Sequence, residues 1–393
     1  MRTPLFRRLA STAVALGLSS LGLLGAGAPP AQAAGSGCPT GYFCAWGDTG
    51  ATGPMFKTQS SKATLGTWDN KFRLIINRTS GFACTFNSPN YEDGAGRYEN
   101  DGYTTSIASR SVSSVKIVPT LRECEGPAYP HWLSETSPTA AGFGDLNGDR
   151  RADVLVRDLV GRLWFLPGDS SGKLVGSGGW NAFDAMVRHG DFSRDAREDV
   201  IVREKATGRL WLYPGTGSGG LGARKLIGAG GWNAMSRIAA FGDLTGDARA
   251  DLLAVEKATG RLWLYPGTST GTLGARKLLG NGGWNGMNAL TGVGDVNGDG
   301  RADLYAREAS TGRLWLYPGK AGALGGRVLL GGGWNGMTML IGNGDWSGDG
   351  RPDLIATEVE SRLLFRYEGT GTGRLGARDW LGGGDWWDLN GAF

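Results

Sequence analysis

One acidic tract, written five times, constrains this chain more than any other feature. Its clearest copy runs Asp295-Val296-Asn297-Gly298-Asp299-Gly300-Arg301-Ala302-Asp303. Oxygen-bearing side chains stand at positions one, three, five and nine, where a curling loop can turn them toward one point. Glycine at position six permits a sharp turn, and the main-chain carbonyl at position seven can add a further oxygen. A set of oxygen donors with a flexible ligand count is the chemistry of calcium. An EF-hand loop would carry glutamate at position twelve and run into a helix. Here position twelve is Ala306 and the following Leu304-Tyr305-Ala306 reads as a strand, so the loop belongs to a β context.

The tracts begin at Asp145, Asp191, Asp243, Asp295 and Asp345, at intervals of 46, 52, 52 and 50 residues. A repeat of that length reads as a propeller blade or a related array. The third unit shows the pattern. Met235 to Phe241 is a strand, the acidic loop follows from Asp243 to Asp251, and Leu252 to Val255 is a second strand. Gly260 to Gly267 holds a third, Ala275 to Leu279 a fourth, and Gly282-Gly283-Trp284-Asn285 opens the next unit. Four short antiparallel strands with turns between them make one blade. Five loops predict five blades.

The expected ligand sets are Asp145, Asn147, Asp149, Arg151 and Asp153; Asp191, Ser193, Asp195, Arg197 and Asp199; Asp243, Thr245, Asp247, Arg249 and Asp251; Asp295, Asn297, Asp299, Arg301 and Asp303; and Asp345, Ser347, Asp349, Arg351 and Asp353. Each arginine stands for its carbonyl. Position six is Gly300 and Gly350 in the fourth and fifth loops, but Arg150, Ala196 and Ala248 in the others. If that position needs a left-handed backbone, a side chain costs roughly 1 kcal/mol. The fourth and fifth loops are therefore expected to bind most tightly and the second, with Arg194 inside it, least. The plainer alternative is a set of Asx turns with no metal.

Tryptophans recur in two series. Trp164, Trp211, Trp263 and Trp315 alternate with apolar residues in a strand, as packing residues do. Trp180, Trp232, Trp284 and Trp334 lie in turns, each followed by an amide, Asn181, Asn233, Asn285 and Asn335. A ring beside an amide suits a sugar: the ring stacks on C–H faces and the amide reads hydroxyl or acetamido groups. The alternative is a blade-packing residue held by the turn.

These loops and strands resemble the FG-GAP or VCBS repeats of secreted and cell-surface proteins, whose Asp-rich loops hold calcium. The Gly-Gly-Trp-Asn turn, with Leu314-Trp315-Leu316-Tyr317-Pro318, is similar to the signature of tachylectin-type five-bladed lectins. That resemblance implies pockets for N-acetylated sugars between neighbouring blades, although those lectins lack the acidic loop.

The first part of the chain differs. Its four cysteines, Cys38, Cys44, Cys84 and Cys124, are all the cysteines present. In an exported protein an even, clustered set implies two disulfides, with three pairings open and Cys38–Cys44 with Cys84–Cys124 favoured. Cys44-Ala45-Trp46 recurs as Cys84-Thr85-Phe86, and Phe72-Arg73-Leu74-Ile75 as Val112-Ser113-Ser114-Val115. Two short halves, each unable to bury its own face, predict a paired Greek-key sandwich. Cys38-Pro39 through Gly41-Tyr42 to Cys44 and Trp46, followed by that second half, resembles the secreted bacterial peptidase-inhibitor family with a βγ-crystallin-like fold, some of whose members block metalloproteases. Of the crystallin calcium motif, the first half keeps Asp69-Asn70 and the second Ser113-Ser114, with Ser109-Arg110 in its acidic slots.

Arg2, Arg7 and Arg8, the apolar run Leu9 to Gly27 and Ala31-Gln32-Ala33 read as a signal peptide over 1–34. Its removal takes three of the 41 basic residues and none of the 37 acidic ones, leaving a nearly neutral chain. That gives no electrostatic case for nucleic acid, and no later stretch is apolar enough to span a membrane. No Gly-x-Ser-x-Gly elbow or His-Glu-x-x-His site occurs, and His189 fills a repeat slot held elsewhere by Phe143, Phe241, Val293 and Asn343.

The expectation is an all-β, secreted or cell-wall-associated protein. A small disulfide-bonded βγ-crystallin-like Greek-key domain (35–125) and a linker (126–138) precede a five-bladed β-propeller (139–393). The expected cofactor is calcium, and no catalytic residues are assigned. A non-enzymatic module binding glycans or a protein surface is the leading function; a metalloprotease inhibitor with the propeller as scaffold, or a structural envelope protein, are the alternatives.

Overall fold

The computed structural model describes residues 37–99, 104–107, 111–124, 133–137, 144–382 and 389–393. The signal segment, most of the linker, the strand start near Thr139, the Ser109-Arg110 slot and Trp386-Trp387-Asp388 lie outside the described residues. The chain divides between Ile117 and Val118 into two compact units.

The first unit holds the two halves read from the duplication. Phe43–Trp46 pairs antiparallel with Met55–Thr58 on one side and Leu74–Asn77 on the other, and Thr104–Ser106 completes a four-stranded sheet. Phe82–Phe86 sits between Gly94–Tyr98 and Ser114–Val118 in a second, three-stranded sheet. The two recurring Cys-containing segments are thus interior strands of their own sheets. Phe43, Phe72, Ile75, Ala83, Val112 and Val115 bury together between them. The glycine-rich turn at 50–53 wraps the Asp48 carboxylate, which accepts N–H groups from Gly50, Thr52 and Gly53. Cys38 and Cys44 are joined; Cys84 and Cys124 are disulfide-bonded as well, and none of the four is free.

The second unit is a ring of five four-stranded antiparallel sheets. Blade 3 has Met235–Gly242 innermost, then Asp251–Glu256, Leu262–Tyr265 and Lys277–Gly280 outermost. Alternation along Leu262–Tyr265 sends Leu262 and Leu264 into the blade 3–blade 4 core, where they pack with Leu304. Each interface is built in this way from two neighbours, so no blade buries its own faces alone.

Blade 1 is assembled from both ends of the propeller. Its second to fourth strands are Val154–Asp158, Leu163–Leu166 and Lys173–Gly176. Its innermost strand is Leu389–Ala392, paired antiparallel with Val154–Asp158. The closing seam is filled by Val154, Val156 and Leu389 of blade 1 with Ile341, Trp346 and Ile355 of blade 5. Residues 133–137, read as linker, are part of this seam. Thr136 bridges to Arg151, the Ser137 N–H reaches the Arg150 carbonyl, and the Ser137 hydroxyl donates to Asp345 at 2.6 Å.

Because strands alternate in direction, the five acidic loops leave one end of the ring. The hairpins between second and third strands and the Trp-Asn turns leave the other.

Leu389 is 5 % exposed at the seam. Leu389→Ala is expected to destabilise the propeller by roughly 2–5 kcal/mol, read as a lowered denaturation midpoint in the full chain.

Candidate metal loops and tryptophan turns

The five acidic loops share one internal geometry. The first aspartate folds back on its own loop. In the fourth, Asp295 Oδ1 accepts the N–H of Gly298 at 2.7 Å and of Asp299 at 3.1 Å, and Oδ2 accepts that of Gly300 at 2.7 Å. Asp145, Asp243 and Asp345 hold the equivalent three N–H groups, and Asp191 holds two. The position-five carboxylate accepts the position-seven N–H, as Asp299 does from Arg301 at 3.0 Å. Asn147, Thr245, Asn297 and Ser347 at position three turn inward onto these carboxylates, while Ser193 turns onto Asp199.

Position six is left-handed in all five loops. Arg150, Ala196 and Ala248 sit at φ 66°, 63° and 59°, against 80° and 85° for Gly300 and Gly350. Position four is left-handed too, which the sequence reading did not foresee. It is glycine in four loops and Arg194, at φ 66°, in the second. The second loop alone therefore carries two side chains in the strained region.

The ninth position is the joint between loop and blade. Asp153, Asp199, Asp251, Asp303 and Asp353 are all buried. One oxygen takes N–H groups from the start of the loop, as Asp353 does from Trp346 and Ser347 at 2.9 and 2.8 Å. In blades 2 to 5 the other oxygen takes the N–H of a glycine at the end of the third strand (Gly369) or two residues past it (Gly215, Gly267 and Gly319), at 2.8–3.0 Å. Burial pushes these carboxyls up, to about 6 for Asp199, Asp303 and Asp353.

Asp153 differs. Its Oδ1 is buried and has no hydrogen-bond partner. Burial raises its carboxyl to about 8, against the pull of Arg188 and the Leu146 N–H. Among the described residues, Asp145, Asp149 and Asp153 form the one trio of carboxylates whose oxygens come within 4.8 Å of one another. The first loop, rather than the fourth or fifth, is thus the most convergent.

The tryptophan turns are wedges between blades. Gly179, Gly231, Gly283 and Gly333 enter each turn at φ 82–84°. The rings of Trp180, Trp232, Trp284 and Trp334 pack on Tyr213, Tyr265, Tyr317 and Tyr367 with centroids 4.5–5.0 Å apart. Trp180, Trp232 and Trp334 are only 7–8 % exposed, so their faces are already occupied; Trp284 is half-buried. Gly280 is required where it stands, because a Cβ there would collide with the Trp284 indole nitrogen. Asn181, Asn233, Asn285 and Asn335 are exposed, and each donates its amide N–H to a carbonyl of the preceding blade's hairpin at 2.9–3.1 Å.

The strand tryptophans sit farther out. Trp211, Trp263 and Trp315 lie half-buried under Arg224, Arg276 and Arg327, with guanidinium carbons 3.9–4.0 Å from the ring centroids. The sequence pattern showed the apolar alternation but not the arginine lids, which come from the residue just before the neighbouring outer strand.

Two tests follow from the loops. Ala248→Gly relieves a left-handed alanine and is expected to raise stability by up to about 1 kcal/mol in denaturant titration. For Asp153 the sign is set by a folded-state value near 8 above an unfolded value of about 3.9. Its contribution is full below the lower value and is lost as pH rises through the upper one. With EDTA present, Asp153→Asn should therefore gain on the wild type between pH 4 and 8 by at least about 1 kcal/mol.

No curated protein sequence matches the chain. Among solved structures, an Agrocybe aegerita lectin described as recognising non-reducing terminal N-acetylglucosamine is 17% identical, with TM-score 0.39, over 90% of this chain and 94% of that one. Regucalcin from Agrobacterium tumefaciens, described as a calcium-binding protein, is 16% identical, with TM-score 0.34, over 64% of this chain and 75% of that one. Neither family whose model matches is an enzyme family. Residues 31–99 match peptidase inhibitor family I36, and residues 191–254, 243–306 and 295–356, which begin at the second, third and fourth acidic loops, each match the FG-GAP-like repeat.

Proposed function

We propose that this is an exported, non-enzymatic binding protein whose propeller is clipped by calcium and engages glycans or a protein surface. The observation that carries the reading is the fivefold recurrence of one pre-shaped loop ending in a buried carboxylate. Ionised carboxylates in a dry site are costly unless a cation is present. The donors are all oxygens, and Asp153 Oδ1 is a buried oxygen without a partner, so the residues fit a hard cation. The side chains at positions one, three, five and nine, with the carbonyls of Arg151, Arg197, Arg249, Arg301 and Arg351, would hold it. The chemistry supplied is structural charge neutralisation. Extracellular calcium modules bind at roughly 10⁻⁴–10⁻³ M.

For sugar contact, Trp284 with Asn285 is the best supported of the four turns, because its ring keeps partial exposure. Trp180, Trp232 and Trp334 with Asn181, Asn233 and Asn335 serve first as inter-blade wedges. The match to peptidase inhibitor family I36 favours a second reading, in which the N-terminal module blocks a secreted metalloprotease and the propeller positions it.

Calcium at a hundredfold excess over its Kd stabilises by about 2.7 kcal/mol per site. Melting in calcium against EGTA should show a clear upward shift that Asp303→Asn and Asp353→Asn each reduce; a melting temperature indifferent to EGTA sinks the reading. A glycan array run with calcium and with chelator tests the propeller's partner. Loss of metalloprotease activity at stoichiometric dose would instead favour the inhibitor reading.

A further inference from the structure

The two ends of the propeller differ in charge. Three aspartates per loop crowd the end described above. At the opposite end, the hairpins of blades 2 to 4 carry exposed Lys205 and Arg209, Lys257 and Arg261, and Arg313. None of these five makes an ion pair among the described residues. The carboxylates at that end are already engaged. Asp184 accepts from Arg203 at 2.6 Å. Glu204 and Glu256 accept from Thr207 and Thr259 and pair with Arg224 and Arg276, and Glu308 accepts from Thr311. The arc stops at blade 5, whose hairpin carries Glu358 and Glu360, and at blade 1, whose hairpin exposes Leu159 and Val160.

Each cationic hairpin is bolted to a Trp-Asn turn. The Trp232, Trp284 and Trp334 N–H groups donate to the Gly208, Gly260 and Gly312 carbonyls. The Asn233, Asn285 and Asn335 amide N–H groups donate to the Lys205, Lys257 and Ala309 carbonyls at 2.9–3.1 Å. Each exposed asparagine is thereby held on a hairpin that carries an unpaired cation. Exposed amides tied to cationic hairpins suit a polymer that carries both hydroxyl groups and negative charge.

We infer that this end of blades 2 to 4 binds an acidic polysaccharide. Charge complementarity supplies the attraction, and the asparagine oxygens accept sugar hydroxyls. A membrane surface is a poorer partner, since the hairpin tips are Ala206-Thr207, Ala258-Thr259 and Ser310-Thr311 and offer no apolar anchor. Single-stranded nucleic acid needs a succession of aromatic faces for its bases, and of the three rings here Trp232 and Trp334 are buried and only Trp284 keeps partial exposure. The inference rests on reading the propeller as a binding module and names its partner class.

The test is a titration of fluorescently labelled hyaluronan oligosaccharide with the full chain in calcium. Binding should weaken at least tenfold between 50 and 200 mM salt. The combined variant Lys205→Gln, Arg209→Gln, Lys257→Gln, Arg261→Gln and Arg313→Gln should lose at least tenfold in affinity at low salt. Lys320→Gln, exposed at the acidic end, should leave it unchanged, and calcium-dependent melting of every variant should match the wild type. Equal binding of a neutral chito-oligosaccharide overturns the inference, as does an unaltered affinity in the five-site variant. So does equal or tighter binding of DNA or of anionic lipid vesicles. Absence of hyaluronan binding alongside a calcium-raised melting temperature overturns the partner while leaving the calcium reading standing.

Discussion

A buried carboxylate at the end of each acidic loop is the interaction on which the propeller depends. In blades 2 to 5 it ties three pieces of chain together: the start of its loop, its own second strand and a glycine at or just past the end of the third. Asp303, for example, takes the Val296 and Gly319 N–H groups on separate oxygens. Those N–H groups lie where strands stop and the sheet ladder no longer supplies partners, so without the carboxylate they would be buried and unpaired, a cost of about 1–3 kcal/mol each. The same burial makes the carboxylate hard to ionise, which is why its proton affinity rises. The fold thus uses these oxygens as hydrogen-bond acceptors and, in doing so, concentrates negative charge at one end of the ring.

That dual role explains why the loops are legible as letters and the convergence of their oxygens is not. Alternate oxygen donors, a position-six turn and a following strand are visible as letters, and the left-handed backbone at Arg150, Ala196 and Ala248 follows from Gly300 and Gly350 in the same slot. The need for a second left-handed residue at position four was hidden, although Gly148, Gly246, Gly298 and Gly348 stood there. What cannot be read from one loop is where its ninth carboxylate points. Asp153 converges with Asp145 and Asp149, while its equivalents are drawn to a glycine N–H on another strand. At Gly168, the blade 1 equivalent of those glycines, the carbonyl instead accepts the N–H of Ser134 from the seam.

The blade count and strand order came from the repeat, and the ring's closure did not. Periodicity describes a unit and its neighbour; it says nothing about where the last unit meets the first. Here the innermost strand of blade 1 comes from Leu389–Ala392, a stretch whose letters do not resemble Met235 to Phe241. The tryptophan turns show a similar limit. Gly-Gly-Trp-Asn announces a turn carrying an exposable ring, but the burial of Trp180, Trp232 and Trp334 depends on a tyrosine from the adjoining sheet. In those three turns the asparagines, held by main-chain carbonyls, are left at the surface, and Trp284 alone of the four rings keeps partial exposure.

A repeat that closes on itself must also distinguish one interface from another, and here the departures from the pattern carry the information. Four inner strands place Arg188, Ala240, Gly292 and Gly342 in one slot, and the matching loop slot holds Glu198, Ala250, Ala302 and Pro352. Where the other blades have small or apolar residues, blade 2 buries an ion pair, with side chains 1 % and 0 % exposed. Arg188 also donates to the Asp153 carbonyl of blade 1, and Glu198 accepts the Gly144 N–H. A buried pair adds little net stability, but leaving either charge alone costs roughly 3–5 kcal/mol. Both charges belong to blade 2, and the Asp153 carbonyl and Gly144 N–H beside blade 1 complete their hydrogen bonding. Blade 1 is the one built from distant segments, so these two contacts tie blade 2 to it at the interface where the repeat itself supplies the least guidance.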